Sequence, residues 1–254
     1  QTPEYRGRYV YHAMCKPADL IQEMRASRET IDAFPEYRRL PMYITEFNTS
    51  YNPRCPIHDT NYNAALCAGL LAGLGDVSDG YSYWTFGDVF EESGIPTRPF
   101  HGGFGMMADH CIPKPTLWSF AFFSQLRGDA VYRDDNAVIV RRPDGGYEAV
   151  LWNLEDDLEL TLELPLSGVA LIERVDSRSC NPLQAWHRMG EPDNLNAEQL
   201  AFLRAAAQPA VETQAAEEGR VCLPLPRNAV VRVRLLPVQA QEDDGFDYGY
   251  YCEE

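Results

Sequence analysis

The sequence has no run of about eighteen or more apolar residues, so it predicts no membrane-spanning helix and no membrane partner. It also lacks a basic stripe, because 22 Lys and Arg residues face 38 Asp and Glu residues, for a formal net charge of −16. Such a surface repels phosphate backbones, which excludes nucleic acid as an expected partner. The sequence begins at Gln1 without an initiator Met or a signal peptide, and we expect it to be a piece of a longer protein.

A disulfide framework is missing as well. The seven cysteines are an odd number without regular spacing, which favours free thiols and a reducing, cytoplasmic location. Cys55 and His58 form a C-x-x-H motif, but no second pair with ligand spacing follows. The sequence therefore predicts neither a metal site nor another cofactor.

What is present is the composition of a globular protein, with 45% hydrophobic and 24% charged residues in a chain of 254. That length allows one large domain or two of ordinary size. Two halves with different periodicity meet near Gly128, so we predict one domain over residues 1–128 and another over 129–238. The remaining residues, 239–254, form an acidic tail that we expect to be disordered.

The first half alternates helical and strand-like stretches, which is typical of a parallel α/β architecture. Proline, glycine and buried-strand patterns set the boundaries. The predicted elements are a helix over residues 16–34, a strand over 41–48, a helix over 61–74, a strand over 80–86, a long loop over 87–115 and a helix over 116–126.

In the second half, apolar and polar residues alternate with a period of two. Leucines at 158, 160, 162 and 164 alternate with polar residues, and a Pro-Asp-Gly-Gly turn from Pro143 joins strands over 137–142 and 147–153. A single helix is predicted over 197–207, capped by Asn196. The pattern predicts antiparallel sheet with one wet face, arranged as a β-sandwich.

Two strand ends carry residues suited to chemistry on a sugar. Glu46 ends the first strand, and a carboxylate at the carboxyl end of a parallel barrel strand points into the mouth of the barrel. A structural ion pair is the alternative for Glu46. Trp84 ends the second strand and is followed by several carboxylates, which suits a sugar that stacks on an aromatic ring. Core aromatics followed by a solvated acidic turn are the alternative there.

An ordered set of motifs resembles the glycoside hydrolase family 39 β-xylosidases from about residue 9 to 238. The motifs are Ile44-Thr-Glu-Phe-Asn-Thr-Ser, His58-Asp-Thr, Tyr81-Ser-Tyr-Trp-Thr-Phe-Gly-Asp-Val-Phe-Glu-Glu, Phe100-His-Gly-Gly-Phe-Gly, Ile112-Pro-Lys-Pro-Thr and Asn181-Pro-Leu-Gln-Ala-Trp-His-Arg-Met-Gly-Glu-Pro. Each motif alone is weak evidence, whereas the ordered set is specific.

This resemblance implies the C-terminal half of a (β/α)₈ TIM barrel, containing strands seven and eight, followed by an antiparallel β-sandwich domain. It implies that Glu46 is the nucleophile of a retaining β-xylosidase and that Trp84 is the aromatic wall of the xylose site. Glu91 and Glu92 would accept hydrogen bonds from the sugar, and Asn48 is a further substrate-binding candidate. The implied substrate is a xylo-oligosaccharide or another glycoside.

The sequence departs from this family in one respect. The family's acid/base residue is the Glu of an Asn-Glu pair on strand four, and this chain contains no Asn-Glu dipeptide. Barrel strands one to six are absent too. We therefore expect an N-terminal barrel half, from the same or a second polypeptide, as a partner, and an isolated chain that is inactive. A homo-oligomer remains open.

Two other functions remain open. An α-L-iduronidase-like glycosidase is one, because Arg98 falls where such an enzyme could place a cation for a uronate carboxylate. A non-catalytic carbohydrate-binding or interaction fragment is the other. His101 is a candidate to line the cleft, and the glycine-rich stretch after it is interpreted as a tight loop. His58 and Asp59 precede a helix, where capping is the default role.

Overall fold

The computed structural model describes residues 4–6, 9–11, 14–89, 94–241 and 249. Most of the predicted acidic tail therefore lies outside the described residues, as do Glu91 and Glu92. Within the described part of the chain, no helix combines the length and the apolar character needed to cross a bilayer.

The first part of the chain combines three helices with short strands. Its elements are β1 (Glu4–Arg6), β2 (Tyr9–Tyr11), α1 (Pro17–Asp32), β3 (Tyr43–Phe47), α2 (Asn61–Leu74), β4 (Gly80–Tyr83), β5 (Met107–Ala108), β6 (Ile112–Pro113) and α3 (Pro115–Gln125). A 3₁₀ turn at Pro56–Asp59 precedes α2. The three predicted helices are confirmed to within two residues at each end, whereas β4 ends earlier than predicted, at Tyr83.

Strands β3 and β4 pair in parallel, with Tyr43 opposite Gly80 and Ile44 opposite Tyr81. Two parallel neighbours need a crossover connection, and α2 supplies it. At the end of β3, the buried Phe47 ring meets the Tyr83 ring edge-on, with centroids 5.7 Å apart. The carboxyl ends of both strands consequently lie at the same edge of the pair.

The second part of the chain is mostly antiparallel sheet. Its elements are β7 (Asp129–Arg133), β8 (Ala137–Arg141), β9 (Tyr147–Trp152), β10 (Leu158–Glu163), β11 (Gly168–Val175), α4 (Pro182–Arg188), α5 (Ala197–Ala206), β12 (Ala210–Ala216), β13 (Arg220–Leu225) and β14 (Val230–Leu236). Six strands form one sheet in the order β12-β11-β14-β9-β8-β7, and β10 pairs with β13 in a second sheet.

The prediction of a single helix in this part is wrong, because α4 precedes α5. Helix α4 has only seven residues, too few for a helical period to stand out in the sequence. It is capped by Asn181, whose side chain accepts a hydrogen bond from the Gln184 N–H at 3.0 Å. The predicted cap of α5 is confirmed, since the Asn196 side chain accepts from the Gln199 N–H at 2.8 Å.

The two antiparallel sheets bury one common core. Alternate side chains of β9, β11 and β14 point into it, among them Leu151, Ile172 and Val233, and Leu223 and Leu225 of β13 pack against them. This face is the apolar one that the period of two predicts. Close packing of branched aliphatic side chains makes the core sensitive to the loss of even a few methyl groups.

The opposite face of the six-stranded sheet is not wet at its centre, which corrects the prediction. Trp152, Val150 and neighbouring apolar residues pack there against small residues of α2 and against Phe122 of α3. On the same face of β14, Arg232 is largely buried, and its Nε donates to Glu148 Oε1 at 2.7 Å. The alternation gives no sign of this cover because the covering helices come from a distant part of the chain.

Replacing Leu151 by Ala should lower the free energy of unfolding by about 2–5 kcal/mol, because it leaves a cavity in the common core. Urea denaturation followed by circular dichroism would measure the change. The matched control is Leu171→Ala on β11, since Leu171 is 37% exposed and should cost much less. Equal losses for the two variants would contradict this description of the core.

Candidate active site

The ends of β3 and β4, together with a later loop, enclose a pocket of about 320 Å³. Pockets of this kind recur where the carboxyl ends of parallel strands meet. The lining residues come from the β3 end, the loop after it, the β4 end and the later loop: Glu46, Phe47, Asn48, Ser50, Tyr51, Trp84 and Phe104. The pocket brings together three of the predicted site residues, namely Glu46, Asn48 and Trp84.

Among the described residues that line the pocket, Glu46 is the only carboxylate. It is the fourth residue of β3, and it is exposed whereas its neighbour Phe47 is buried. Among the described residues, none forms an ion pair with Glu46. A solvent-accessible carboxylate at a strand end can act as a nucleophile or as a base.

Trp84 forms a second wall of the pocket. Its backbone N–H donates to the carbonyl of Phe47 at 2.8 Å, which continues the β3–β4 pairing beyond Tyr83. Trp84 is 37% exposed, and the peptide bond to Thr85 is cis. An aromatic face of this kind offers a stacking surface to the apolar side of a sugar ring.

Asn48 lines the pocket, but its side chain is bonded to the protein. Its Nδ2 donates to the carbonyl of Trp84 and to the carbonyl of Phe104, the latter at 3.3 Å. Its Oδ1 accepts from the Thr49 N–H at 2.7 Å and from the Tyr83 hydroxyl at 3.4 Å. Both amide protons are therefore used within the protein, and the substrate-binding role of Asn48 stays a prediction.

A buried ionic cluster lies beside the Phe104 wall. Lys114 has no exposed surface, and its Nζ is 2.6 Å from Asp59 Oδ1 and 2.6 Å from Asp88 Oδ2. It also donates to the carbonyl of Gly103 at 2.9 Å. Burial by itself lowers the pKa of Lys114, but Asp59 and Asp88 outweigh that effect and raise it above the ordinary value.

The same carboxylates hold the backbone of the segment 102–105. The Gly102 N–H donates to Asp59 Oδ2 at 2.7 Å, and the Gly105 N–H donates to Asp88 Oδ1 at 2.6 Å. Asp59 therefore does not cap α2 as predicted, because both of its oxygens face this cluster.

Glycine is required at both ends of this segment. Gly102 has a φ of +80°, and a Cβ there would lie 2.7 Å from the carbonyl oxygen of Cys55. A Cβ on Gly105 would lie 2.5 Å from the backbone nitrogen of Asp88. The structure thus agrees with the interpretation of this stretch as a tight loop.

His58 supports the segment from the other side and is not a helix cap either. Its Nδ1 lies 2.8 Å from the carbonyl of Gly102, so Nδ1 carries the proton of a neutral ring. The imidazole packs against Phe104 with ring centroids 5.3 Å apart. Burial lowers the pKa of His58 from 6.5 to about 4, and the nearby Lys114 charge acts in the same direction.

Comparison with known proteins decides the family. The model for Glycosyl hydrolases family 39 matches residues 4–221. This chain belongs to glycoside hydrolase family 39.

The family 39 relatives are β-xylosidases. The chain is 42% identical over 207 residues to a β-xylosidase of Geobacillus stearothermophilus, covering 78% of this chain and 41% of that protein. It is 34% identical over 212 residues to a β-xylosidase of Caldicellulosiruptor saccharolyticus, covering 77% of this chain and 42% of that protein. The chain thus spans less than half the length of these curated relatives.

Solved structures of family 39 enzymes also resemble this chain. A monomeric β-xylosidase from Caulobacter crescentus CB15 superposes with a TM-score of 0.78 at 29% identity, over 91% of this chain and 52% of that one. A family 39 enzyme from Xanthomonas axonopodis pv. citri gives a TM-score of 0.75 at 27% identity, over 91% of this chain and 50% of that one.

The other predicted site residues of this family 39 chain lie away from the pocket lining or outside the described residues. The His101 Nδ1 lies 3.2 Å from the carbonyl of Arg98. The Arg98 guanidinium is 3.1 Å from Glu191 and 2.8 Å from Asp193, so it faces the residues after α4. Glu91 and Glu92 are outside the described residues.

Several pocket residues were not indicated by the sequence. Ser50, Tyr51 and Phe104 lie in loops, where no periodicity marks which side chain turns inward.

The sequence carries one signal for Lys114 of the buried cluster, because it is one of only two lysines in the chain and lies between two prolines. That signal cannot identify its partners, which are 26 and 55 positions away in sequence.

Lowering the pH from 6.5 to 4 should lower the free energy of unfolding by about 3 kcal/mol, because His58 is buried in its neutral form. The unfolded state takes up the proton near pH 6.5, whereas the folded state resists it until about pH 4, so stability is full above 6.5 and falls below it. His58→Gln should remove this part of the pH dependence. Urea denaturation across this pH range would measure it.

The control is His110→Gln, at a histidine whose side chain is 48% exposed. That variant should keep the pH dependence of the wild type. A His58→Gln variant with the same loss of stability as the wild type would contradict the buried, neutral state of His58.

Proposed function

We propose that this chain is the nucleophile-bearing part of a retaining β-xylosidase and that Glu46 is the nucleophile. The observation that carries the proposal is the exposed Glu46 carboxylate at the end of β3, in one pocket with the exposed Trp84 ring. Support also comes from the relatives of the chain, which are β-xylosidases.

The proposed reaction is a double displacement. A Glu46 oxygen attacks the anomeric carbon, the glycosidic bond breaks, and an acid gives its proton to the departing oxygen. Water, deprotonated by the same group, then attacks the glycosyl ester, and Glu46 leaves as a carboxylate. Trp84 would hold the pentose ring by stacking, in a pocket that Phe47 and Phe104 also line.

The second carboxyl must come from elsewhere in the complete protein. A retaining enzyme holds it about 5–5.5 Å from the nucleophile, yet Glu46 is the one carboxylate among the described pocket residues. Because the chain also lacks an Asn-Glu pair, we assign the acid/base to a segment that this chain does not contain.

The proposed architecture is a partial (β/α)₈ barrel followed by a β-sandwich. Residues 1–128 would supply barrel strands seven and eight as β3 and β4, and residues 129–238 would form the sandwich. Two strands cannot close a barrel. Large apolar side chains near them are exposed, including Tyr43 at 63% and Phe86 at 70%. We propose that the N-terminal barrel half, from the same or a second polypeptide, covers them.

The contacts of Arg98 do not favour an α-L-iduronidase. Its guanidinium is held by Glu191 and Asp193, so it is not free to bind a uronate carboxylate in the pocket.

A cytoplasmic location remains a proposal, and it is compatible with the six free cysteines of the described residues.

The isolated chain should show no turnover of an aryl β-xyloside under conditions in which the complete protein is active. Proton donation to the leaving group is worth about 10²–10⁴ in rate, and the donor is absent here. Release of the aryl alcohol, followed by absorbance, would measure it. Turnover by the isolated chain at the rate of the complete protein would reject the proposed division of the active site.

In the complete protein, Glu46→Gly should abolish turnover, and added azide should restore part of it. Azide can enter the space left by the carboxylate and attack the same face of the sugar, which gives an azide product of inverted configuration. Glu46→Gln is the matched control, because its amide fills that space and should block rescue. NMR of the product reads its configuration. A rescued product of retained configuration would make Glu46 the acid/base instead.

A further inference from the structure

We propose that Lys114 is a positioning residue for the pocket: it fixes the segment 102–105 and thereby places Phe104 in the pocket that Glu46 and Trp84 also line. The inference concerns the same pocket and rests on the proposed function for its kinetic consequence. Its structural part stands on hydrogen bonds and burial alone.

Lys114 connects residues that flank three elements of the first part of the chain. Asp59 ends the 3₁₀ turn before α2, Asp88 follows β4, and Lys114 immediately precedes α3. The ammonium contacts both carboxylates at 2.6 Å and a carbonyl of the segment at 2.9 Å. The ammonium is therefore within contact distance of residues beside all three elements, which favours one spacing of these residues.

The cluster reaches the pocket through the backbone of Phe104. The residues on either side of Phe104 are held by Lys114 and Asp88. The carbonyl of Phe104 itself accepts from the Thr85 N–H at 3.2 Å, next to Trp84. A shift of the segment would consequently move the Phe104 wall relative to Glu46.

Stability alone does not account for this arrangement. A buried ion pair is often no more stabilising than apolar side chains of the same volume, because removing charges from water is costly. The charged groups fix the position of the segment instead. Each carboxylate binds Lys114 with one oxygen and a glycine N–H of the segment with the other.

The test replaces each carboxylate by an amide of the same shape. Asp59→Asn and Asp88→Asn replace one carboxylate oxygen by an NH2 group, so one of the two positions that face Lys114 and the glycine N–H holds a donor in place of an acceptor. We expect the amides of Gly102 and Gly105 to exchange with solvent at least about tenfold faster in NMR spectra of the chain. The matched control is Asp76→Asn, whose carboxylate pairs with Arg133 at the surface and should leave these amides unchanged.

In the complete protein, the same variants should lower kcat for an aryl β-xyloside by roughly 10- to 100-fold. KM should change by less than about threefold, since orientation rather than binding is lost. Rates are measured well below each variant's melting temperature. Unchanged kcat in a variant with faster glycine exchange would overturn the positioning role, and unchanged exchange would overturn the clamp itself.

A second measurement needs no variant and covers the case in which an asparagine variant fails to fold. Lys16 and Lys114 are the only lysines, so a chain labelled with ¹⁵N at the lysine ζ position gives two ammonium signals. The Lys114 signal should exchange slowly and the exposed Lys16 signal fast. Equal exchange would overturn the inference. If the complete wild-type protein is inactive, the proposed function fails, and the amide and ammonium exchange alone decide the role of Lys114.

Discussion

A lysine ammonium without any contact with water must be balanced inside the protein, and the site is organised around this requirement. Lys114 is balanced by Asp59 and Asp88, and breaking such a pair on one side costs about 3–5 kcal/mol. Since each carboxylate also holds a glycine N–H, the charges determine where the Phe104 loop lies. Because Phe104 lines the pocket, this arrangement also determines the shape of the pocket.

A second constraint links the sheets to the parallel strands. Helix α2 is the crossover between β3 and β4 and also packs on the six-stranded sheet. It is made largely of Ala, Gly and Leu, and a Cβ on Gly69 would lie 2.8 Å from Pro17 and 3.2 Å from Trp152. The small residues allow α1, α2 and the sheet to approach closely, so the two halves of the chain share one interface.

Local patterns identified much of the fold and part of the site. Helices α1, α2, α3 and α5 follow from local patterns of apolar residues, from proline and glycine at their ends and, for α5, from the Asn196 cap. These signals arise between near neighbours in sequence. Glu46 and Trp84 follow from their places at strand ends. The single wet face of the sheet was wrongly predicted, because the helices that cover it are distant in sequence.

The amino-acid sequence by itself determined the family, the order of most elements and the two side chains placed at the strand ends. Tertiary structure alone decided the partners of polar side chains. Asn48 holds two carbonyls, Arg98 binds Glu191, and Asp59 meets Lys114 across 55 positions. The reason is physical: a periodic pattern specifies which face of an element is buried, whereas a hydrogen bond between loops depends on where the whole chain brings their ends.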